Sequence, residues 1–247
     1  MNLFLDAIAW ILDPANWSGV GSIPERIGQH LLISAIVLVI ASLIALPIGV
    51  LVGHSGRGKD PAVMVSGGLR ALPTLGALTL FALWLGIGLQ APIIALVILA
   101  IPPLLAGAYA GLESVDRRTI DAARAMGMRE DQIVGKVELP LAMPIVVGGI
   151  RSATLQIIAT ATLAAYVADF GLGRFIFEGL KTRDYAEMLG GSILVIILAL
   201  VVDGGFALTQ RIVVPAGVRA TQSTELRSGP ARPRAAMGRP ITEGNQE

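Results

Sequence analysis

Cysteine is absent from this chain, which excludes disulfides, thiolate zinc sites and cysteine nucleophiles. Only two histidines occur, His30 and His54. No second histidine or carboxylate is spaced to complete a metal site, so both are expected to be ordinary residues at segment boundaries. Charge is scarce as well: Asp, Glu, Lys and Arg make up 15% of the residues, against about 25% in a soluble domain. The formal net charge of +1 leaves no electrostatic footprint for nucleic acid. The phosphate-cradling pattern G-x-x-x-x-G-K-[ST] is missing, and Gly56-Arg57-Gly58-Lys59 lacks its spacing, so the chain is not expected to hydrolyse ATP itself.

Apolar residues are abundant, at 54% of the chain, and they sit in long blocks. A membrane-crossing helix needs about 20 mostly apolar residues. Leu31 to Val52 carries no Asp, Glu, Lys or Arg and contains Pro47, which a membrane helix tolerates when neighbours satisfy the freed carbonyl. The charge-free run from Ala71 to Leu112 would be roughly 60 Å long as one helix, twice the hydrocarbon thickness. It is therefore expected to be two crossings, the first starting near Pro61, with a break near Gly86–Pro92. A fourth crossing is expected from about Leu141 to Ala168, interrupted only by Arg151, and a fifth from about Met188 to Ile212, with Asp203 inside it and Arg211 at its inner end. The expected fold is an all-α integral membrane protein of about five transmembrane helices.

Five crossings put the two ends of the chain on opposite sides, and basic residues choose the orientation. With the N-terminus outside, the inner segments hold Arg57, Lys59, Arg117, Arg118, Arg124, Arg129, Lys136 and the arginines from Arg211 to Arg239. The outer segments hold only Arg26, Arg174, Lys181 and Arg183. The bias puts the N-terminus outside and the C-terminus in the cytoplasm of a cell-membrane protein. Asp6 falls where the basic region of a signal peptide should lie, and Leu3 to Leu12 reads instead as a short amphipathic helix at the outer interface. The expected organisation is an external or interfacial segment over residues 1–28, a membrane domain over 29–215, and a disordered basic cytoplasmic tail over 216–247, whose arginines can touch anionic lipid. The segment between Asp169 and Glu187, with Phe170 and Tyr185, is the outer surface best suited to meet an external partner.

The inner loop from Glu113 to Pro140 is the most informative stretch. Asp116 is a good helix N-cap. Thr119 through Met126 favours helix, and Gly127 suits the left-handed position that ends one. Ala122 and Ala123 are small, so a partner surface can approach the backbone closely. Leu139-Pro140 then opens the next crossing, with proline in the first turn where its missing N–H costs little. A short helix held below the membrane and followed by a rigid return suits mechanical docking.

Here the sequence resembles the permease family of binding-protein-dependent ATP-binding-cassette importers, whose inner loop reads EAA, three residues, G, nine residues, I-x-L-P. This chain has Asp121-Ala122-Ala123, then Gly127, then Val137-Glu138-Leu139-Pro140 at that spacing, with Asp for Glu and Val for Ile. The stretch IDAARAMGMREDQIVGKVELPLAMPIVVGGIRSAT, then TATLAAYVADFGLGRFIFEGL, and RALPTLGAL in the second span, look like the glycine betaine/choline/proline osmoprotectant permeases. Where those often read GAGGLG, this chain reads Ala168-Asp169-Phe170-Gly171-Leu172-Gly173. The resemblance, over residues 29 to 215, implies a type I importer fold. It also implies ATPase subunits that bind ATP and magnesium, an external substrate-binding protein, and a second permease, identical or related. Under it, Asp121, Ala122, Ala123, Gly127, Leu139 and Pro140 form the coupling contact with the ATPase. The chain itself is expected to hold no cofactor and no metal. With three Trp and three Tyr, an aromatic cage for a quaternary ammonium cargo is expected on the binding protein instead.

Charges within the membrane should face protein or water. Counted along the helices, Arg70, Arg151 and Asp203 reach a comparable depth in the inner half, so Asp203 is expected to pair with Arg151 or Arg70. Pro73-Thr74, Thr160 and Thr162 are candidates to line a pathway; threonines in helices also bond their own carbonyls. The alternative to an ATP-driven permease is an ion-coupled secondary transporter or channel, which calls for intramembrane carboxylates or paired broken helices. Asp203 alone is clearly intramembrane by this reading, and no inverted repeat is visible. An amino acid or other small solute is the alternative cargo.

Overall fold

Charge-free apolar runs become helices because hydrocarbon offers no partner to a free backbone N–H or C=O, so each segment must satisfy its own. The structure is a computed structural model that describes residues 2–213, and the regular elements in that range are all helices, with no strand among them. The expected basic tail beyond residue 213 lies outside the described residues.

Helix α1 (Leu3–Leu12) is followed by a short 3-10 turn (Pro14–Trp17). Next come α2 (Ile23–Ser55), α3 (Lys59–Arg70), α4 (Thr74–Leu85) and α5 (Gln90–Glu113). The inner loop forms α6 (Arg117–Ala125) and α7 (Glu130–Ile133), and a single π turn (Val134–Glu138) leads into α8 (Leu139–Ala161). A 3-10 turn (Thr162–Tyr166), α9 (Gly173–Thr182) and α10 (Tyr185–Val213) complete the fold.

Helix directions follow from which residues meet. Gly49 of α2 approaches Ala108 of α5, and Gly53 approaches Leu112, so α2 and α5 run parallel. Gly107 of α5 meets Gly149 of α8, and Gly111 meets Ala142 and Val146, so α8 runs back. Arg151 of α8 meets Asp203 of α10, and Pro144 meets Gln210, so α10 runs forward again. Because α2 and α5 are parallel, the chain between them must return from one end of the bundle to the other. The α3–α4 pair makes that return. It is not the continuous helix expected from the sequence: α3 and α4 meet at 83°. Pro73 stands at the corner, in extended backbone, and cannot continue α3 because it lacks an N–H.

Three further boundaries differ from expectation. Helix α2 begins at Ile23, well before Leu31, with proline in its first turn. Glu25 and Arg26 look like loop charges in the sequence. Yet Arg26 is buried and bonded to Asp169, at 2.9 Å, so a partner distant in the chain lets the helix carry it. His30 is no boundary residue: it is fully buried. Its Nε2 lies 2.9 Å from the Ile158 carbonyl, and its Nδ1 accepts from the Leu172 amide at 3.3 Å. The fourth crossing stops at Tyr166 rather than Ala168.

The core lies where α2, α5 and α8 meet, with Val37, Ala41, Ala45, Leu104, Ala153 and Ile157 buried there. Close backbone approach sets the α5–α8 crossing. A β-carbon on Gly107 would fall 2.6 Å from the Gly149 Cα, so only glycine permits it, as in small-residue crossings of membrane helices. The outward faces are apolar: Leu43, Leu51, Leu83, Trp84, Leu200 and Val201 are all exposed. Apolar surface on that scale has no place in water and fits lipid or a partner. At one end, α1 packs on α9 and α10, with Trp10 edge-on to Phe175 at 5.0 Å.

Candidate functional site

The inner loop builds a short helix with both ends closed. Asp116 caps α6 by accepting from the Arg118 amide at 2.9 Å. At the other end, Gly127 has φ +81°. Its amide donates to the Arg124 carbonyl at 2.9 Å and the Met128 amide to the Ala123 carbonyl at 3.2 Å. This pair of bonds is the Schellman stop, which needs a left-handed residue where Gly127 stands.

The two faces of α6 differ. Ile120 and Ala123 are buried against Leu112, Val115, Ile133, Ala142 and Val146. Asp121, Ala122, Arg118 and Met126 are exposed. The two alanines therefore divide: Ala122 faces outward, and Ala123, expected on the partner surface, is packed into the protein's own core. Leu139 and Pro140 are half-buried and open α8 with proline in the first turn.

Charges tie this loop to the bundle. Arg124 donates from Nε and Nη2 to the two carboxylate oxygens of Glu130, at 2.8 and 3.1 Å, and from Nη1 to Asp121 at 3.4 Å. The bond to Glu130 raises the Arg124 guanidinium above its ordinary value, keeping it a fixed positive charge. Glu130 also lies 3.1 Å from His54 Nε2, at the end of α2, and His54 Nδ1 lies 2.6 Å from Glu138. Glu138 is only 1% exposed. The sequence reading missed this cluster. Its one available signal was a glutamate between Val137 and Leu139, in a stretch otherwise turning apolar.

The intramembrane candidates separate. Arg151 holds Asp203 through two parallel hydrogen bonds, at 2.5 and 2.7 Å. Arg70 is exposed at the last turn of α3, beside the α3–α4 corner rather than midway along a straight span. It borders a cavity of about 270 Å³ with Val63, Ser66, Gly67, Ala106 and Tyr109. Pro73 is exposed at that corner and Thr74 is half-buried. Thr160 bonds the Gln156 carbonyl at 2.6 Å and Thr162 the Ala159 carbonyl at 2.8 Å, so both hydroxyls are satisfied by their own chain segment. Asp169, where the osmoprotectant permeases that this sequence resembles often read alanine, is held by Arg26 and by Arg174 at 3.3 Å. Phe170 is half-buried against the central core, whereas Tyr185 is exposed. Among the described residues no group of three or more His, Asp or Glu could hold a metal ion.

A multi-helix bundle with an apolar exterior, four or five helical spans and a capped helix hung at one end fits a protein that sits in a membrane. Residues 45–216 match the family described as binding-protein-dependent transport system inner membrane component, and the chain belongs to that family. It is 34% identical over 199 residues to the glycine betaine/carnitine/choline transport system permease protein OpuCB of Bacillus subtilis, covering 81% of this chain and 92% of that one. It is 36% identical over 191 residues to the carnitine transport permease protein OpuCB of Listeria monocytogenes, covering 77% and 88%. Among solved structures it resembles the inward-facing MetNI methionine ABC transporter. The TM-score is 0.67 at 23% identity, covering 84% of this chain and 98% of that one, which supports the type I permease fold.

The chain is thus a multi-pass permease subunit of an ABC importer, not an enzyme, and the ion-coupled alternative is set aside. Such a permease works with an ATPase and a substrate-binding protein.

Proposed function

We propose that this permease imports quaternary ammonium or related osmoprotectants, such as glycine betaine, choline, carnitine or proline. The observation that carries the cargo is the identity to permeases named for betaine, choline and carnitine over four-fifths of the chain. In this reading the N-terminus is outside and the C-terminus is in the cytoplasm. The arginine bias supports that direction, and α6 then hangs in the cytoplasm at the end where α2, α5 and α10 finish.

The exposed face of α6, with Asp121 and Ala122, docks on a separate ATPase that binds ATP and magnesium. Gly127 sets where that face ends, and Leu139-Pro140 sets the rigid return into the membrane. Closure of the ATPase pair draws two such helices together, one from each permease, identical or related. The bundle then opens outward and receives cargo from an external binding protein, with Tyr185 and the neighbouring segment as the meeting surface. Hydrolysis resets it. The α3–α4 corner, with Arg70, Pro73 and Thr74 beside an open cavity, borders the pathway. Thr160 and Thr162 take part through the backbone they bond. The Arg151–Asp203 pair holds α8 to α10 while the rest moves.

The test is uptake of labelled betaine, choline, carnitine and proline by the reconstituted complex. ATP-dependent accumulation of at least one of them is expected. Uptake of none of the four, alongside import of an unrelated amino acid, would overturn the cargo reading.

A further inference from the structure

We infer that His54 is a positioning residue: it ties the coupling loop to the end of α2, so that displacement of α6 is delivered to the membrane helices through a polar joint. The inference rests on the permease function proposed above and adds the route by which force leaves the loop.

The geometry is specific. His54 is the penultimate residue of α2. Its two ring nitrogens face two different carboxylates, Glu138 at 2.6 Å and Glu130 at 3.1 Å. Ionised carboxylates only accept hydrogen bonds, so each ring nitrogen that carries a proton can donate to the carboxylate beside it. Glu130 in turn grips Arg124 at two points, and Arg124 lies in the last turn of α6. A chain of charged hydrogen bonds therefore runs from α6 through Arg124, Glu130 and His54 to α2. A branch at His54 reaches Glu138, at the foot of α8.

The apolar side of α6 packs in a cluster with Leu112, Val115, Ile133, Ala142 and Val146. That contact can slide, because dispersion contacts have no fixed direction. Paired charge-assisted hydrogen bonds fix both distance and angle. Glu138 adds a reason for the tie to persist. It is 1% exposed, and a carboxylate there needs a donor; among the described residues His54 is its recorded side-chain partner. His54 sits 84 residues from Glu138 in the chain, so the joint closes only when α2 and the coupling loop are both in place.

This chain has no native cysteine, so labels can be placed in it at chosen sites, with the accessible cysteines of the other subunits replaced. Spin labels are placed through Arg57→Cys, just past α2, and Arg118→Cys, on the exposed side of α6, in the complete complex. With His54 present, the label-to-label distance is expected to stay narrow and unchanged when ATP is added, because the two ends move as one body. In Glu130→Gln, which alters a half-exposed side chain and should fold, and in His54→Ala, the distance should broaden or shift on ATP addition. Cargo moved per ATP hydrolysed should fall roughly tenfold, as for loss of hydrogen bonds to charged groups. His54→Gln, whose amide keeps two N–H donors, should recover much of that ratio. A purely structural role would instead lower the amount of complex and leave the ratio in the surviving complex untouched. A wild-type distance distribution, or a wild-type ratio, in Glu130→Gln overturns the inference. If the unsubstituted complex imports none of the tested osmolytes, the cargo reading fails on its own, and the distance measurement alone decides the joint.

Discussion

Arg151 and Asp203 face each other across α8 and α10, with Nε donating to Oδ1 at 2.5 Å and Nη2 to Oδ2 at 2.7 Å. Two apolar helices that would otherwise slide in hydrocarbon are pinned in register by this pair. Either single substitution, Arg151→Leu or Asp203→Leu, leaves one charge without its partner in a membrane helix. Both should lower the thermal midpoint of the detergent-purified complex by several degrees. The double variant Arg151→Leu/Asp203→Leu should recover part of the loss, because no charge is stranded. Differential scanning fluorimetry of the three variants checks this; additive losses would mean the pair is not coupled.

Gly127 ends α6 at φ +81°, where a branched side chain is strained by roughly 1–2 kcal/mol. Asparagine tolerates that conformation and valine does not. Gly127→Asn should therefore retain most ATP-driven uptake, whereas Gly127→Val should lose most of it while ATP hydrolysis falls less. Parallel uptake and phosphate-release assays separate the two. Equal losses in both variants would show that the turn is not what matters at this position.

Helix α5 reaches α8 through a pair of facing glycines. Gly107→Ala puts a β-carbon 2.6 Å from the Gly149 Cα, and overpacking of this kind costs about 1–3 kcal/mol. The expected result is a lower unfolding midpoint, with a larger loss for Gly107→Val. Gly148, which has nothing within 4 Å of an added β-carbon, supplies the control: Gly148→Ala should be close to neutral. Unfolding of the three variants in one detergent system, followed by near-ultraviolet circular dichroism, makes the comparison.

Much of this architecture is legible in the sequence because the bilayer enforces it. Charge-free runs such as Ala71 to Leu112 exceed one crossing by length alone, and the break falls between Leu85 and Gln90, as the glycines there suggest. The inner loop was legible through local chemistry, since Asp116, Gly127 and Pro140 each do what their side chains or missing N–H allow. The 83° corner between α3 and α4 was not. Proline in a membrane helix can be absorbed or can break the helix, and tertiary context decides which. The early start of α2 was hidden for a similar reason. Arg26 looks like a loop cation until Asp169, 143 residues away, is folded beside it. His30 and His54 each found partners more than 80 residues distant, and no spacing rule reports contacts of that range.

The outward and inward faces of α6 give the sharpest discrimination between docking and folding. Ala122 is exposed and Ala123 is 2% exposed, packed beside Ile120 and Ile133. Under the docking proposed above, a bulky residue at Ala122 meets only the partner. Ala122→Trp should leave the unfolding midpoint of the isolated permease within about a degree, since substitutions away from buried features are usually nearly neutral. It should weaken capture of the ATPase subunit and lower uptake. A charged residue at Ala123 meets the permease's own core, where an unpartnered carboxylate is costly. Ala123→Glu should lower the midpoint and the yield of permease even when no ATPase is present. Affinity capture and thermal unfolding of the same two variants read both effects. If Ala123→Glu proved as stable as the parent and lost only ATPase capture, α6 would be turned about its axis in the assembled complex, with Ala123 on the docking face.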